Sequence, residues 1–197
     1  LQVPVVAEPT ITAQFADHFK DTLAKKHFGP LQLEAQIVPA TQFNNLLTQV
    51  DSKGIVLTTL AFELLDRIWN QQANSPTLFV GDKHGGRNRY VNDLSSISAA
   101  PVKIIEEARA VSRYRVAATE FRFQTKGEQH LPVAAASIIA KYVRELSMIQ
   151  FNNYWQQFCP DIKPTKGYPV DAKRYWEQIK TAQIEQSIQD EQLWRMK

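Results

Sequence analysis

The sequence is short of cysteine, of long apolar runs and of repetition, and each shortage removes a class of protein. A single cysteine, Cys159, stands among 197 residues. That excludes an internal disulfide and any zinc cage built on cysteine, and it suits a reducing compartment, so a cytoplasmic location is expected. No apolar run approaches the roughly 20 residues that a membrane helix requires, and no membrane partner is expected. The opening Leu1-Gln2-Val3-Pro4-Val5-Val6-Ala7 places no basic residues ahead of an apolar core and is not patterned as a signal peptide. Repeats, low-complexity tracts and a recognisable linker are missing as well. One folded domain over 1–197 is therefore expected, with a C-terminal helical extension from about residue 160.

What is present is an ordinary globular composition, 44% hydrophobic and 22% charged, with an uneven spread of charge. Residues 1–82 carry five Lys/Arg against eight Asp/Glu, whereas residues 83–180 carry 16 against nine. A polyanion would be drawn to the middle and later chain. Basic surfaces also occur on proteins that bind no nucleic acid, so the charge narrows the field without deciding it.

Helical spacing of Ile11, Phe15, Phe19 and Leu23 predicts a helix from Thr10 to His27, stopped by Gly29-Pro30. Leu31, Leu33, Ala35 and Ile37 alternate with polar residues, which predicts a half-buried strand. Short and long helices follow over Thr41–Leu47 and Lys53–Gln72. Thr77–Val80 is an apolar run ending in Gly81-Asp82, the form of a central strand that delivers an acid at its carboxyl end. Val102–Glu106 suggests another strand, and Tyr114–Val116 with Phe121–Phe123 suggests a hairpin about Ala117-Ala118-Thr119. Leu131–Trp155 is the strongest helix. Ile139, Tyr142, Val143, Leu146 and Ile149 share one of its faces, and Ser137, Lys141 and Arg144 the opposite one. A loop over Lys163–Tyr168 and two helices near 170–180 and 185–195 end the chain. Strands alternating with helices argue for an α/β class.

Three segments concentrate chemistry. In Gly81-Asp82-Lys83-His84-Gly85-Gly86-Arg87-Asn88-Arg89, a strand fixes a carboxylate, glycines let the backbone turn close to a ligand, and Lys83, Arg87 and Arg89 add positive charge. The plain structural alternative is a turn in which Asp82 pairs with Arg87. In Lys126-Gly127-Glu128, an acid precedes a helix whose first turns are nearly all alanine, and Ser137 and Lys141 project together as a phosphate clamp requires. The alternative there is a Glu favoured by the helix dipole over a tightly packed alanine face. In Lys166-Gly167-Tyr168-Pro169-Val170-Asp171, basic and aromatic residues suit phosphate contact with stacking on a sugar or base, or else anchor the terminal helices.

Together and in this order the segments resemble the ribonuclease HII/HIII (type 2 ribonuclease H) family. Ala135-Ala136-Ser137-Ile138-Ile139-Ala140-Lys141 is the most specific match and Lys166-Gly167-Tyr168 supports it, over roughly residues 40–180. The resemblance implies a ribonuclease H-like mixed sheet flanked by helices. It also implies an endonuclease that cuts the RNA strand of RNA–DNA hybrids or of duplex DNA containing ribonucleotides. By it, Asp82 is similar to the family's third catalytic and metal-binding carboxylate and Glu128 to the fourth. Ser137 and Lys141 resemble phosphate-binding residues, Tyr168 the tyrosine that stacks on ribose, and Lys83, Arg87, Arg89 and Lys166 further nucleic-acid contacts. The Gly-Tyr-Pro-Val-Asp form looks closer to type HII and Glu128 closer to type HIII, so the subtype stays open.

One departure is large. The family opens with a strand carrying an adjacent Asp-Glu pair in a D-E-x-G setting, and no such pair occurs here. Asp51-Ser52-Lys53 matches the letters of the family's D-S-K segment but stands in the wrong context. The expectation is that N-terminal strands of the fold, with that pair, belong to a missing N-terminal part of the same protein. A complete site would hold two Mg²⁺ or Mn²⁺ ions about 3.5–4 Å apart between four carboxylates. Glu106 or Glu107 is an alternative for the fourth position, and His84 and His130 neighbour the acids. The rival readings are a non-catalytic nucleic-acid-binding module and a ribonuclease H-fold DNA nuclease such as a resolvase.

Overall fold

A computed structural model of the chain describes residues 7–29, 31–70 and 76–196. It divides into two compact units, Leu1–Leu33 and Glu34–Lys197.

The first unit is built on one helix, α1 (Pro9–Lys25). Pro9 sits at its first turn, where a missing N–H costs nothing. The helix ends earlier than Gly29-Pro30 suggests. His27 takes the left-handed conformation (φ 58°), its N–H bonds the Ala24 carbonyl, and the Phe28 N–H bonds that of Leu23. These paired bonds form a Schellman closure around a residue that is not glycine. The apolar stripe Ile11, Phe15, Phe19 forms as expected, yet α1 buries no residue.

The strand expected from Leu31 to Ile37 does not form. The segment carries no strand at its described positions, and Leu31, Leu33 and Ile37 are exposed. A strand needs a ladder partner as well as an alternating pattern. The polar residues of the alternation decide its course instead, since Glu34 and Gln36 both bind the Arg67 guanidinium at 3.1 and 2.9 Å.

The second unit runs α2 (Ala40–Val50), α3 (Lys53–Asn70), β1 (Thr77–Asp82), α4 (Val91–Ile97), β2 (Val102–Glu107), β3 (Val111–Val116), β4 (Thr119–Gln124), a 3-10 turn (Gly127–Gln129), α5 (Leu131–Gln156), α6 (Pro169–Glu185) and α7 (Asp190–Leu193). The far end of the long helix expected to Gln72 lies outside the described residues. The strands form one mixed sheet in the order β1-β4-β3-β2, parallel between β1 and β4 and antiparallel elsewhere. The chain is therefore α/β. β1 bonds only to β4, and no strand among the described residues lies along its other edge.

Alternation along β3 and β4 sends Tyr114, Val116, Phe121 and Phe123 to one face of the sheet. There they pack with Phe62 and Trp69 of α3 and with Tyr90 and Leu94 at α4. Aromatic stacking orders this core, with Tyr90 on Phe123 at 4.1 Å between ring centroids and Trp69 edge-on to Phe121 at 5.1 Å. Helix α4 was not foreseen, because its apolar content is small. The buried Leu94 and the Tyr90 N–H, which donates to the Tyr114 hydroxyl at 2.9 Å, hold it in place.

Two smaller clusters complete the unit. Trp155, Ile162, Tyr175, Ile179 and Ala182 pack α5 against α6. Phe43, Leu47, Val56 and Leu60 join α2 to α3. The buried Asn44 side chain receives the chain end, donating to the carbonyls of Glu191 and Trp194 and accepting from the Met196 N–H.

The opposite sheet face is polar. Arg113 and Arg122 stand directly across from one another, an arrangement that like charges disfavour. Glu120 offsets it by accepting from Arg113 at 3.0 Å and Arg122 at 2.8 Å, with Arg115 at 3.3 Å. The hydrogen bonds from Arg113 and Arg122 hold the Glu120 carboxyl down at about 2. A depressed carboxyl contributes stability that is complete above its unfolded value and lost as pH falls toward its folded one. Glu120→Gln should therefore cost about 1–3 kcal/mol at neutral pH. The gap from the parent should narrow steadily below about pH 4.5, as measured by urea unfolding across pH 7 to 3. An unchanged gap at pH 3 would remove Glu120 as the source.

Candidate functional site

Parallel pairing of β1 with β4 brings two strand carboxyl ends side by side, Asp82 opposite Gln124. Beyond Gln124 the chain makes a sharp turn. Lys126 adopts the left-handed conformation (φ 58°, ψ 41°) and starts the 3-10 turn. The Gly127 N–H then donates to Asp82 Oδ1 at 2.7 Å. Glycine suits this approach, since a Cβ at Gly127 would stand 2.7 Å from the same oxygen, so that the carboxylate would have to shift, and 3.4 Å from Val133 Cγ1. Glu128 follows directly, and the Ser137 hydroxyl donates to its Oε1 at 3.2 Å from the second turn of α5.

The result is an open cleft of about 380 Å³ lined by Asp82, Lys83, Gly86, Thr125, Lys126 and Glu128. Asp82 and Glu128, 46 positions apart in sequence, therefore share one cleft, and Ser137 touches the second of them. Lys141 lies one helical turn beyond Ser137, exposed and without a side-chain partner among the described residues. Gly86 was expected, with Gly85, to let the backbone turn close to a ligand, whereas Thr125 and Lys126 were given no role from sequence. Nothing in residue type marks them, and only the crossing of two strand ends brings them together.

The basic residues after Asp82 are largely committed elsewhere. The Lys83 ammonium reaches the Ala108 carbonyl (2.6 Å), Asn88 Oδ1 (2.8 Å), the Ser112 hydroxyl (2.9 Å) and the Arg87 carbonyl (3.4 Å). Burial pushes its pKa down, against the pull of Glu106 and Glu107. Arg87 forms a two-pronged pair with Asp93, at 2.6 and 3.3 Å, and Arg89 approaches Glu107 at 3.7 Å. The glycines do turn the backbone sharply, with φ of 58° at Gly85 and 80° at Gly86. The turn serves to bring the His84 N–H to the Tyr90 hydroxyl at 2.9 Å.

His84 points into the aromatic core. Its Nδ1 pairs with the Thr58 hydroxyl at 3.1 Å, and its ring packs edge-on to Tyr90 and Phe123. Burial, reinforced by Arg87, pushes its pKa down, so the ring is neutral near pH 7. His130 occupies the N-cap position of α5 without a capping side-chain bond, and its ring meets Gln124 Oε1 at 3.3 Å. Neither histidine lines the cleft. Glu107 accepts from the Tyr114 hydroxyl at 2.6 Å on the far edge of the sheet. Three strand spacings separate that edge from β1, about 14 Å.

The Lys166–Tyr168 loop is rigidly built. Asp171, in the first turn of α6, accepts from the Thr165 hydroxyl (2.6 Å), the Lys166 N–H (2.8 Å) and Arg174 (2.8 Å). The Thr165 hydroxyl first, then Arg174 and the Lys166 N–H, hold its carboxyl well below the usual range. Arg144 was placed from sequence on the Ser137–Lys141 face but given no role. It donates to the Lys166 carbonyl at 2.5 Å and lies over the Tyr168 ring at 5.0 Å, leaving that ring exposed. The Lys166 side chain is likewise solvent-facing.

Asp82 and Glu128 offer the hard oxygen donors that Mg²⁺ and Mn²⁺ take. No group of three or more Asp, Glu, His or Cys among the described residues is placed to hold a metal ion. One oxygen of each carboxylate is also already bonded, to Gly127 and to Ser137. The donors present do not fit a two-ion site by themselves. No described helix is long and apolar enough to cross a membrane.

No protein-family model, no curated protein and no solved structure matches this chain. The ribonuclease HII/HIII resemblance therefore stands on its motifs.

The Gly127 contact is open to direct test. Gly127→Ala should destabilise the protein by about 1–3 kcal/mol through overpacking against the carboxylate. In an Asp82→Ala background the same change should cost less than half as much, read as a double-mutant cycle of urea unfolding energies. Strict additivity would place the strain elsewhere.

Proposed function

We propose that this chain is the larger part of a ribonuclease HII/HIII-like nuclease that engages RNA–DNA hybrids, with Asp82 and Glu128 as two of its catalytic carboxylates. The convergence of these residues on one cleft, beside the Ser137-bearing face of α5, carries the proposal. The Lys166–Tyr168 loop supports it, because the pinned Tyr168 ring is exposed in the manner of a stacking platform.

On this reading Mg²⁺ or Mn²⁺ is bound only when further carboxylates join the pair. The open edge of β1 suits their arrival, since a strand added there would end beside Asp82. Such a strand would carry the Asp-Glu pair that the resemblance calls for. The shortage of acids also favours a second reading, a module that binds nucleic acid without cutting it.

Cleavage of a labelled RNA–DNA hybrid in Mg²⁺ or Mn²⁺ separates the readings. The 197-residue chain alone should bind and not cut. Supplied with a segment bearing the Asp-Glu pair, it should cut the RNA strand. Asp82→Asn and Glu128→Gln should each reduce that rate by at least about 100-fold, in line with the loss of a group that acts on developing charge. Full activity in either variant removes that residue from the site. Binding with no cleavage under every condition establishes the non-catalytic reading, and a preference for branched DNA over hybrid or single-ribonucleotide duplex points to a resolvase.

A further inference from the structure

We infer that the phosphate-binding cation of the cleft is Lys126, assisted by Arg109 on the adjoining turn, and not the Lys83–Arg87–Arg89 cluster; this rests on the hybrid-binding reading above. The inference comes from accounting for the positive charges around the cleft lining; Lys141, also exposed and unpaired among the described residues, stands outside that lining, one turn beyond Ser137. A cation binds a phosphate strongly only when it need not first abandon another anion or a set of buried acceptors. Lys83 is held by four acceptors and Arg87 by Asp93, while Arg89, 85% exposed, makes only a loose 3.7 Å contact with Glu107 and does not line the cleft. On the polar sheet face, Arg113, Arg115 and Arg122 share Glu120.

Lys126 differs from all of these. It lines the cleft with Asp82 and Glu128, is exposed, and makes no side-chain hydrogen bond or ion pair among the described residues. Its backbone is left-handed, a conformation that glycine or asparagine adopts far more readily than lysine. His27, Asp51, Ala117 and Ser187 share the left-handed conformation, so what sets Lys126 apart is an idle charge held on the cleft lining.

Arg109 shares the location. It occupies the turn between β2 and β3, at the same sheet end as Asp82, exposed and unpaired among the described residues. The turn is tied to the cleft from two sides. The Thr125 N–H donates to the Ala110 carbonyl at 2.9 Å, and the Lys83 ammonium donates to the Ala108 carbonyl at 2.6 Å. Lys83 thus acts as a positioning residue that holds the Arg109 turn against the cleft. A nucleic-acid backbone crossing this end of the sheet would meet Lys126 and Arg109 as a pair of available cations. Such contacts are blind to sequence and set affinity and register.

The test is fluorescence anisotropy of the 197-residue chain with an end-labelled RNA–DNA hybrid, titrated over a range of salt concentrations. Lys126→Gly removes the charge and relieves the backbone, so its thermal midpoint should equal or exceed the parent's. It should nonetheless bind about 3- to 10-fold more weakly, with the slope of log K against log salt reduced by about 0.9. Arg109→Ala should act in the same direction, with the two losses adding. Lys103→Ala removes an exposed charge at the opposite end of the sheet and should leave affinity and slope unchanged. If Lys126→Gly binds as the parent does, or if Lys103→Ala weakens binding equally, the assignment falls while the hybrid-binding reading survives. No hybrid binding by the parent overturns both.

Discussion

The bond from the Gly127 N–H to Asp82 Oδ1 is the contact on which the rest of the site depends. β1 and β4 are joined as strands already, but a ladder fixes backbones and leaves side chains free to turn. This bond fixes the carboxylate itself, because a charged acceptor held by a backbone donor is both stronger and more directional than a neutral pair. It also fixes the 3-10 turn, and so decides where Glu128 stands and where α5 begins. A Cβ at position 127 would force the Asp82 carboxylate to shift from this position. One hydrogen atom in place of a methyl group thus helps set the spacing between an acid at a strand end and an acid in the following 3-10 turn.

The elements that were legible in the sequence are those whose own pattern carries their energy. The alternation of β3 and β4 buries one continuous face, and the apolar run of β1 and the stripe of α5 are half-buried; β1, β4 and α5 formed within a residue or two of their expected bounds, while β3 begins three residues earlier. The segment from Leu31 to Ile37 had an equally clean alternation and formed no strand, because its partner was never specified by its own residues. Helix α4 failed in the opposite sense, since its seven residues are held by a tyrosine hydroxyl 24 positions away.

The site was legible by type and not by pairing. Asp82, Glu128 and Ser137 were singled out because their segments, taken together, resemble the ribonuclease HII/HIII motifs; each alone had a plain structural reading. The cations were harder. Lys83, Arg87 and Arg89 stand next to Asp82 in sequence, yet alternation and turning send their charges toward Ala108, Asp93 and Glu107. Lys126 looked unremarkable beside them. Which cation is idle is a property of the whole sheet end, and local sequence cannot express it.

The charge of the cleft bears on why two acids alone make a poor metal site. The lining contains Asp82 and Glu128 against Lys83 and Lys126, so its formal charge is balanced without any ion. A divalent cation entering it would lose hydration and meet two ammonium groups, with little net attraction to offset that cost. Two further carboxylates change the sign of the balance. The same cleft would then carry a charge of −2, and like-charge repulsion among four acids becomes a demand that hard divalent cations meet. On this argument the lysine that serves phosphate and the acids that serve metal are not in conflict. Lys126 balances part of the carboxylate charge in the half-site while staying unpaired, so on the proposed reading it is free to face an anion whether or not the acid set is complete.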